Sequence, residues 1–197
     1  MKKQKICIIG DGLAGLTTAL VLSKLDVEID FIFKNKKVKK FTDCRTTAIS
    51  ESNYSFLLNH LNYSDLKIFN SCKNIDLYHE KSSQYYHFMN FTDEGKYLLH
   101  IVENQKLKKI FFKNIQRQKN IKIINGEVIK IDVEKSTISI KNKNLHYDLI
   151  VLCLGRQSNI VSQFVGKRFI EDDVKEISFT SLVKHNSNIS DPKQYFL

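Results

Sequence analysis

The segment 10–15 of the sequence, Gly-Asp-Gly-Leu-Ala-Gly, has the residue types and spacing best suited to chemistry. Its glycines form a G-x-G-x-x-G pattern that directly follows the apolar run 6–9 and opens a helical pattern. In this context Gly10 allows a tight turn, Gly12 lets the backbone approach a phosphate, and Gly15 permits close packing of helix on strand. The pattern therefore predicts binding of a dinucleotide's pyrophosphate at a helix N-terminus. The predicted contacts in this loop are Gly10, Gly12, Leu13, Ala14 and Gly15.

A dinucleotide site usually also places a carboxylate at the end of the second strand, about 20 residues further on, to bind a ribose hydroxyl. Here that position reads Ile32-Phe33-Lys34, and the nearest carboxylates, Glu28 and Asp30, lie earlier in the strand. Two alternatives follow. Either other groups hold the ribose, or the adenosine end is bound loosely.

The apolar periodicity of the sequence predicts the strands and the helix that position this loop. Residues 5–9 predict a strand, residues 13–25 a helix and residues 27–33 a second strand, parallel to the first because the helix carries the chain back. Residues 34–40 are lysine-rich and predict a solvated loop. Ser50 is expected to cap a helix through Leu61, with Phe56, Leu57 and Leu61 on one face.

The middle of the chain predicts a second set of strands. Residues 76–79, 85–91 and 97–101 are short strand-like segments separated by turn residues, as in an antiparallel layer. The apolar spacing in residues 102–118 predicts an amphipathic helix. Further strands are expected at residues 121–124, 128–133, 137–140 and 147–154, the last ending at Gly155.

Composition limits the classes of function. Apolar residues make up 42% of the 197, and no stretch reaches the roughly 18 to 20 apolar residues that a membrane span needs, so a soluble protein is expected. The run 6–9 after the basic start is interrupted by Asp11 and glycines, and no signal-peptide cleavage pattern follows, so a cytoplasmic location is expected. The formal charge of +10 comes mostly from evenly spread lysines, which is typical of a solvated face and does not favour nucleic-acid binding. The alternative interpretation is that the lysines are weakly attracted to acidic lipid headgroups. The four cysteines and six histidines lack the spacing of a disulfide framework or a metal site, so no metal is expected.

Four segments resemble the flavoprotein aromatic hydroxylases related to p-hydroxybenzoate hydroxylase, and most closely the branch that acts in ubiquinone biosynthesis. They are residues 6–16, residues 43–50 (Asp-Cys-Arg-Thr-Thr-Ala-Ile-Ser), residues 101–107 and residues 148–158. The second is similar to the D-x-R-x-x-A-[LI]-S segment of that branch. The fourth stands in the place of a second fingerprint ending A-D-G-x-x-S, with Gly155 and Ser158 matching and Leu154 replacing the aspartate.

The resemblance implies an α/β fold: a Rossmann-like FAD-binding domain, with a parallel sheet and β-meander, plus part of an antiparallel substrate-domain sheet. It implies that residues 1–74 and 101–165 form the FAD-binding part and that residues 75–100 and 166–197 supply substrate-domain strands. It also implies a full enzyme of roughly twice this length, of which residues 1–197 would be the N-terminal part. Arg45, Asn104 and Gly155 are the further cofactor contacts that it implies.

The implied activity is hydroxylation of a prenylated phenol ring with FAD, NAD(P)H as reductant and O2. The resemblance also implies peripheral association with the inner face of the membrane or with a complex of quinone-pathway proteins. No catalytic residue is predicted, because the cofactor carries the chemistry. Two alternatives remain: another FAD- or NAD(P)-binding oxidoreductase, or an inactive or incomplete fragment.

Overall fold

The computed structural model of the chain describes residues 2–34, 43–61, 67–141, 143–155, 160, 186 and 193–196. The chain divides into two units, Met1–Thr42 with Lys108–Ser178, and Asp43–Leu107 with Phe179–Leu197. The described elements, in chain order, are β1 (Gln4–Ile9), α1 (Leu13–Leu22), β2 (Val27–Phe33), β3 (Thr46–Ser50), α2 (Glu51–Leu58), β4 (Asn70–Cys72), β5 (Asn74–Lys81), β6 (Gln84–Thr92), β7 (Leu99–Glu103), α3 (Asn104–Gln116), β8 (Ile121–Asn125), β9 (Val128–Asp132), β10 (Thr137–Ile140), β11 (Lys143–His146), β12 (Leu149–Leu152) and β13 (Lys193–Phe196).

The first unit is organised around a parallel sheet. Within the described residues it has four strands in the order β12-β1-β2-β8. β1 and β2 are largely buried apolar runs, as expected for strands with both faces covered, and α1 carries the chain between them. The predicted strand-turn-helix-strand unit is therefore confirmed, and residues 27–33 match β2 at both ends.

A small antiparallel sheet, β11-β10-β9, packs against the parallel sheet and forms the β-meander. Its side chains share a buried cluster with the parallel sheet, made of Cys7, Ile9, Ile32, Val128, Ile131, Ile138, Ile140, Tyr147 and Ile160. Burial of this much apolar surface is the main force that holds the layers together. The α/β class with a parallel sheet and separate antiparallel sheets is thus the one that the sequence predicted.

The described residues of the second unit form two three-stranded sheets. In one, β7 lies between β3 and β4, and α2 follows β3 directly. Ser50 is the N-cap of α2, and its Oγ accepts a hydrogen bond from the N–H of Asn53, as predicted. The helix ends at Leu58, before the predicted end at Leu61; Leu57 and Leu61 are buried, whereas Phe56 is 46% exposed.

In the other sheet, β5 and β6 form a hairpin, and β13 pairs with β5 in parallel. β6 is exposed along its length and carries five large apolar side chains but no Lys, Arg, Asp or Glu. The expected strand 97–101 belongs instead with β3 and β4, because the turn at residues 93–96 redirects the chain after β6.

Other boundaries differ by a few residues. α1 stops at Leu22, because Ser23 caps it and the N–H groups of Lys24 and Leu25 bond to carbonyls three residues back. Residues 35–42, which include most of the predicted lysine-rich loop, lie outside the described residues. Within the described part of the chain, no helix combines the length and apolar character needed to cross a membrane.

Candidate functional site

The predicted glycine loop lies where the strand order of the parallel sheet reverses. From β1 the chain adds β2 and then β8 on one side, and it later places β12 on the other side of β1. In open parallel sheets, ligands bind outside the carboxyl ends of the strands at such a switch point. The carboxyl ends of β1 and β12 meet here, since the N–H of Cys153 donates a 2.9 Å hydrogen bond to the carbonyl of Ile9.

Gly10 and Gly15 are required by the close packing of this loop. Gly10 has φ of +118°, and a Cβ atom on it would lie 2.2 Å from the carbonyl oxygen of Cys153. A Cβ atom on Gly15 would lie 2.0 Å from the carbonyl oxygen of Gly10. No other residue type fits at either position without moving backbone, so these two glycines shape the turn.

Gly12 differs from the other two glycines, because a Cβ atom on it would meet nothing within 4 Å. It is the N-cap of α1, with φ of −69° and ψ of 172°, and no side chain caps the helix there. The first N–H groups of the helix, on Leu13, Ala14 and Gly15, have no intrahelical acceptor. Packing does not explain this glycine. Open space next to donor N–H groups at the positive end of a helix dipole is what a pyrophosphate requires, so the loop fits one.

The two carboxylates of β2 that the sequence singled out do not lie at the strand's end. Asp30 is 5% exposed, accepts a 2.7 Å hydrogen bond from the hydroxyl of Tyr147, and pairs with the ammonium of Lys5 at 3.2 Å. It therefore holds the β-meander segment on the sheet. At the strand's end, Lys34 pairs with Glu127, which follows β8. Glu127 is thus a carboxylate at this edge that the sequence did not single out.

Two weak acids next to the buried Asp30 carboxylate, the Cys7 thiol and the Tyr147 hydroxyl, have raised pKa values. Burial raises the pKa of the Cys7 thiol to about 12, and the nearby Asp30 carboxylate adds to the effect. Burial also raises the pKa of the Tyr147 hydroxyl, and its hydrogen bond to Asp30 raises it further. Both groups stay protonated at neutral pH. Cys7 is therefore an inert packing residue rather than a nucleophile.

Lys108 is a residue near the glycine loop that sequence reasoning missed. Its ammonium donates a 2.9 Å hydrogen bond to the Oδ2 of Asp11, which lies between Gly10 and Gly12. The two residues are 97 positions apart in the sequence. No local pattern in the sequence could have paired them.

In the second unit the structure brings Arg45 and Asn104 together. The N–H of Asn104 donates a 3.0 Å hydrogen bond to the carbonyl of Arg45, and the hydroxyl of Thr47 donates to the Oδ1 of Asn104. The Arg45 side chain is 71% exposed, and its guanidinium makes two 2.8 Å bonds to the carboxylate of Asp43. Thr47 therefore fixes the amide of Asn104, and Asp43 fixes the guanidinium of Arg45.

Gly155 is exposed and follows β12, two residues after the Cys153 carbonyl that packs on Gly10. A Cβ atom on Gly155 would meet nothing within 4 Å. Leu154, which replaces the aspartate of the related fingerprint, packs against the buried cluster of the β-meander. Arg156, Gln157 and Ser158 of that segment lie outside the described residues.

In the second unit of the chain, the buried His100 lies at the centre of another group of polar contacts. His100 is 1% exposed; its Nδ1 lies 2.8 Å from the Ser71 hydroxyl and its Nε2 lies 2.7 Å from the Glu51 carboxylate. Its ring stacks on Tyr54 with a centroid distance of 3.7 Å. These bonds tie α2, β4 and β7 together. In the described residues, no three His, Cys, Asp or Glu side chains lie close enough to hold a metal ion.

Comparisons with known proteins find similarity only at the level of structure. No family model and no curated protein matches the sequence. A mutant of 2-methyl-3-hydroxypyridine-5-carboxylic acid oxygenase has a TM-score of 0.63 at 16% identity, with 83% of this chain and 42% of that chain covered. CtdE, in a complex with FAD and its substrate, has a TM-score of 0.60 at 16% identity, with coverages of 76% and 37%. The peptidyl tryptophan dihydroxylase QhpG has a TM-score of 0.51 at 16% identity, with coverages of 81% and 34%.

The likeness establishes the fold. The parallel sheet and the separate antiparallel sheets match the fold of these solved oxygenase and dihydroxylase structures. The chain spans 34% to 42% of the lengths of the three structures.

Proposed function

We propose that the chain binds FAD and forms part of a flavin-dependent monooxygenase. The observation that carries this proposal is Gly12, whose open space faces the free N–H groups of α1 at the switch point of the parallel sheet. Two similar structures are an oxygenase and a dihydroxylase, and a third is a complex with FAD, which supports FAD over other dinucleotides.

The proposed roles of the residues are those that the glycine pattern and the family resemblance imply. The N–H groups of Leu13, Ala14 and Gly15 would bind the pyrophosphate, while Gly10 and Gly15 keep the turn tight. Arg45 and Asn104 would orient the flavin, each held by a neighbour, Asp43 or Thr47. Gly155 would let the cofactor approach the end of β12. Bound FAD would supply the redox and oxygen chemistry, with NAD(P)H as the reductant.

The finer proposal concerns the substrate. The resemblance of residues 43–50 to the ubiquinone-biosynthesis branch supports hydroxylation of a prenylated phenol ring. We propose this activity for a protein of the length of the similar structures, with this chain as its cofactor-binding part. A prenylated substrate partitions into lipid, so peripheral association with an anionic membrane surface, helped by the lysine excess, belongs to the same proposal.

The test is a titration of the purified chain with FAD, followed by absorbance at about 450 nm and by quenching of flavin fluorescence. We expect stoichiometric binding by the wild type. Gly12→Val should keep the fold, because a Cβ atom has room there, and should lose FAD. Gly10→Ala is the comparison variant: it should lose both the fold and FAD, because its Cβ atom would overlap the Cys153 carbonyl.

Circular dichroism distinguishes a variant that loses FAD because it is unfolded from one that is folded but has a blocked binding loop. A Gly12→Val variant that is folded and still binds FAD with wild-type affinity would show that the loop does not hold the pyrophosphate. A wild-type chain that takes up no FAD would contradict the proposed function of the chain itself.

A further inference from the structure

The ion pair between Lys108 and Asp11 lies beside the proposed pyrophosphate loop. Asp11 is flanked by Gly10 and Gly12, and the Lys108 ammonium reaches it from α3 at 2.9 Å. Both residues belong to the first unit of the chain. Each side chain is 45% exposed, so the pair contributes little to the stability of the fold.

The position of Asp11 is unfavourable for the proposed ligand. A pyrophosphate bound to the N–H groups of Leu13 and Ala14 would lie close to a carboxylate only two residues before Leu13 in the chain, and the like charges would repel each other. The glycines on either side leave no side chain between Asp11 and the ligand. An anion site with an aspartate in its loop therefore needs a compensating cation.

We infer that Lys108 is a positioning residue for the cofactor pyrophosphate, acting by neutralising Asp11 and holding its carboxylate away from the anion. This inference rests on the proposed function. In this inference, the ligand whose binding the ion pair favours is a diphosphate ester. Lys109, exposed on the same helix, is not involved in any ion pair within the described residues and provides the matched control.

The test measures the FAD dissociation constants of the wild type and of Lys108→Met, Asp11→Asn, the double variant and Lys109→Met. Lys108→Met should weaken binding about tenfold, because Asp11 is then unpaired. Asp11→Asn should bind at least as tightly as the wild type, and it should restore the affinity of Lys108→Met in the double variant. The defect of Lys108→Met should grow smaller between about 0.05 M and about 0.5 M salt. Lys109→Met should match the wild type.

The outcomes separate this inference from the proposed function. If the wild type binds FAD and Lys108→Met binds it equally well, the role of Lys108 is overturned while the proposed function stands. Equal losses in Lys108→Met and Asp11→Asn, without rescue in the double variant, would also overturn it, since they indicate a merely structural pair. A wild type that binds no FAD overturns both.

Discussion

The hydroxyl of Tyr147 donates a 2.7 Å hydrogen bond to the Oδ2 of Asp30, joining the segment before β12 to the middle of β2. The two residues are 117 positions apart, and both are buried. Lys5, on β1, pairs with the same carboxylate and lies over the Tyr147 ring. A carboxylate that could have been a ribose ligand is therefore a structural anchor.

Tyr147→Phe should lower the free energy of unfolding by about 1 to 3 kcal/mol, because it leaves a buried carboxylate with one partner fewer. Urea denaturation followed by circular dichroism measures the change. The control is Tyr85→Phe, which removes a hydroxyl from a side chain that is largely exposed, and it should be close to neutral. A Tyr147→Phe variant as stable as the wild type would mean that Lys5 alone satisfies Asp30.

The stability of the chain should fall at alkaline pH. The pKa values of Cys7 and Tyr147 are raised in the folded state, so above about pH 9 the folded chain holds protons that the unfolded chain has released. This stability is fully present below the unfolded pKa values and is lost as pH rises toward the folded ones. Each group contributes a slope of up to about 1.4 kcal/mol per pH unit.

Urea midpoints measured between about pH 8 and pH 11 test this dependence. Cys7→Ala should flatten the first part of the decline, since the unfolded thiol ionises before the phenol. Cys44→Ala, which removes a partly exposed thiol, is its control. An unchanged slope in Cys7→Ala would show that the thiol does not cause the effect.

His100→Ala should lower the free energy of unfolding by about 2 to 3 kcal/mol, because it removes two hydrogen bonds and a ring stack from a buried position. Glu51→Gln should cost less, since an amide oxygen still accepts from Nε2. His87→Ala, at an exposed histidine, should change stability by no more than about 0.5 kcal/mol. Similar decreases in the free energy of unfolding for His87→Ala and His100→Ala would contradict the role of His100 as a buried anchor.

Thr47→Val should weaken FAD binding roughly three- to tenfold without unfolding the chain, because the amide of Asn104 loses the hydroxyl that fixes its direction. Thr47→Ser retains the hydroxyl and should bind like the wild type. Thr46→Val, at the neighbouring exposed position of β3, controls for the change of side chain. Flavin fluorescence titration gives the constants, and equal affinities for Thr47→Val and Thr46→Val would exclude an orienting role for Thr47.

How much the sequence could predict depended on the range of the interactions. The strand-turn-helix unit and the cap at Ser50 were predictable, because each is set by residues within a few positions of one another. β3 and β4 were missed: they are short, half-exposed strands whose polar residues carry no alternating apolar pattern. Phe56 follows the helical period of Leu57 and Leu61, yet it is 46% exposed while those two leucines are buried.

The side-chain pairs of the candidate site were beyond prediction for a different reason. Lys108 with Asp11, and His100 with Glu51, join residues far apart in the sequence through the fold. The type of each residue is ordinary by itself. The antiparallel register of β3 with β7 sets Ile49 opposite His100 and so brings Glu51, at the start of α2, near the histidine, while Lys108 reaches Asp11 from α3.

The contact between Gly10 and the carbonyl of Cys153 delays assembly of the site until a late stage of folding. The first glycine of the loop packs on Cys153, which directly follows β12, and such non-local contacts form slowly because a long loop must close first. When only β1, the glycine turn and α1 have been synthesised, the Cys153 carbonyl that packs against Gly10 is therefore still absent. We expect competence to bind the cofactor to arise late, when β12 has docked beside β1.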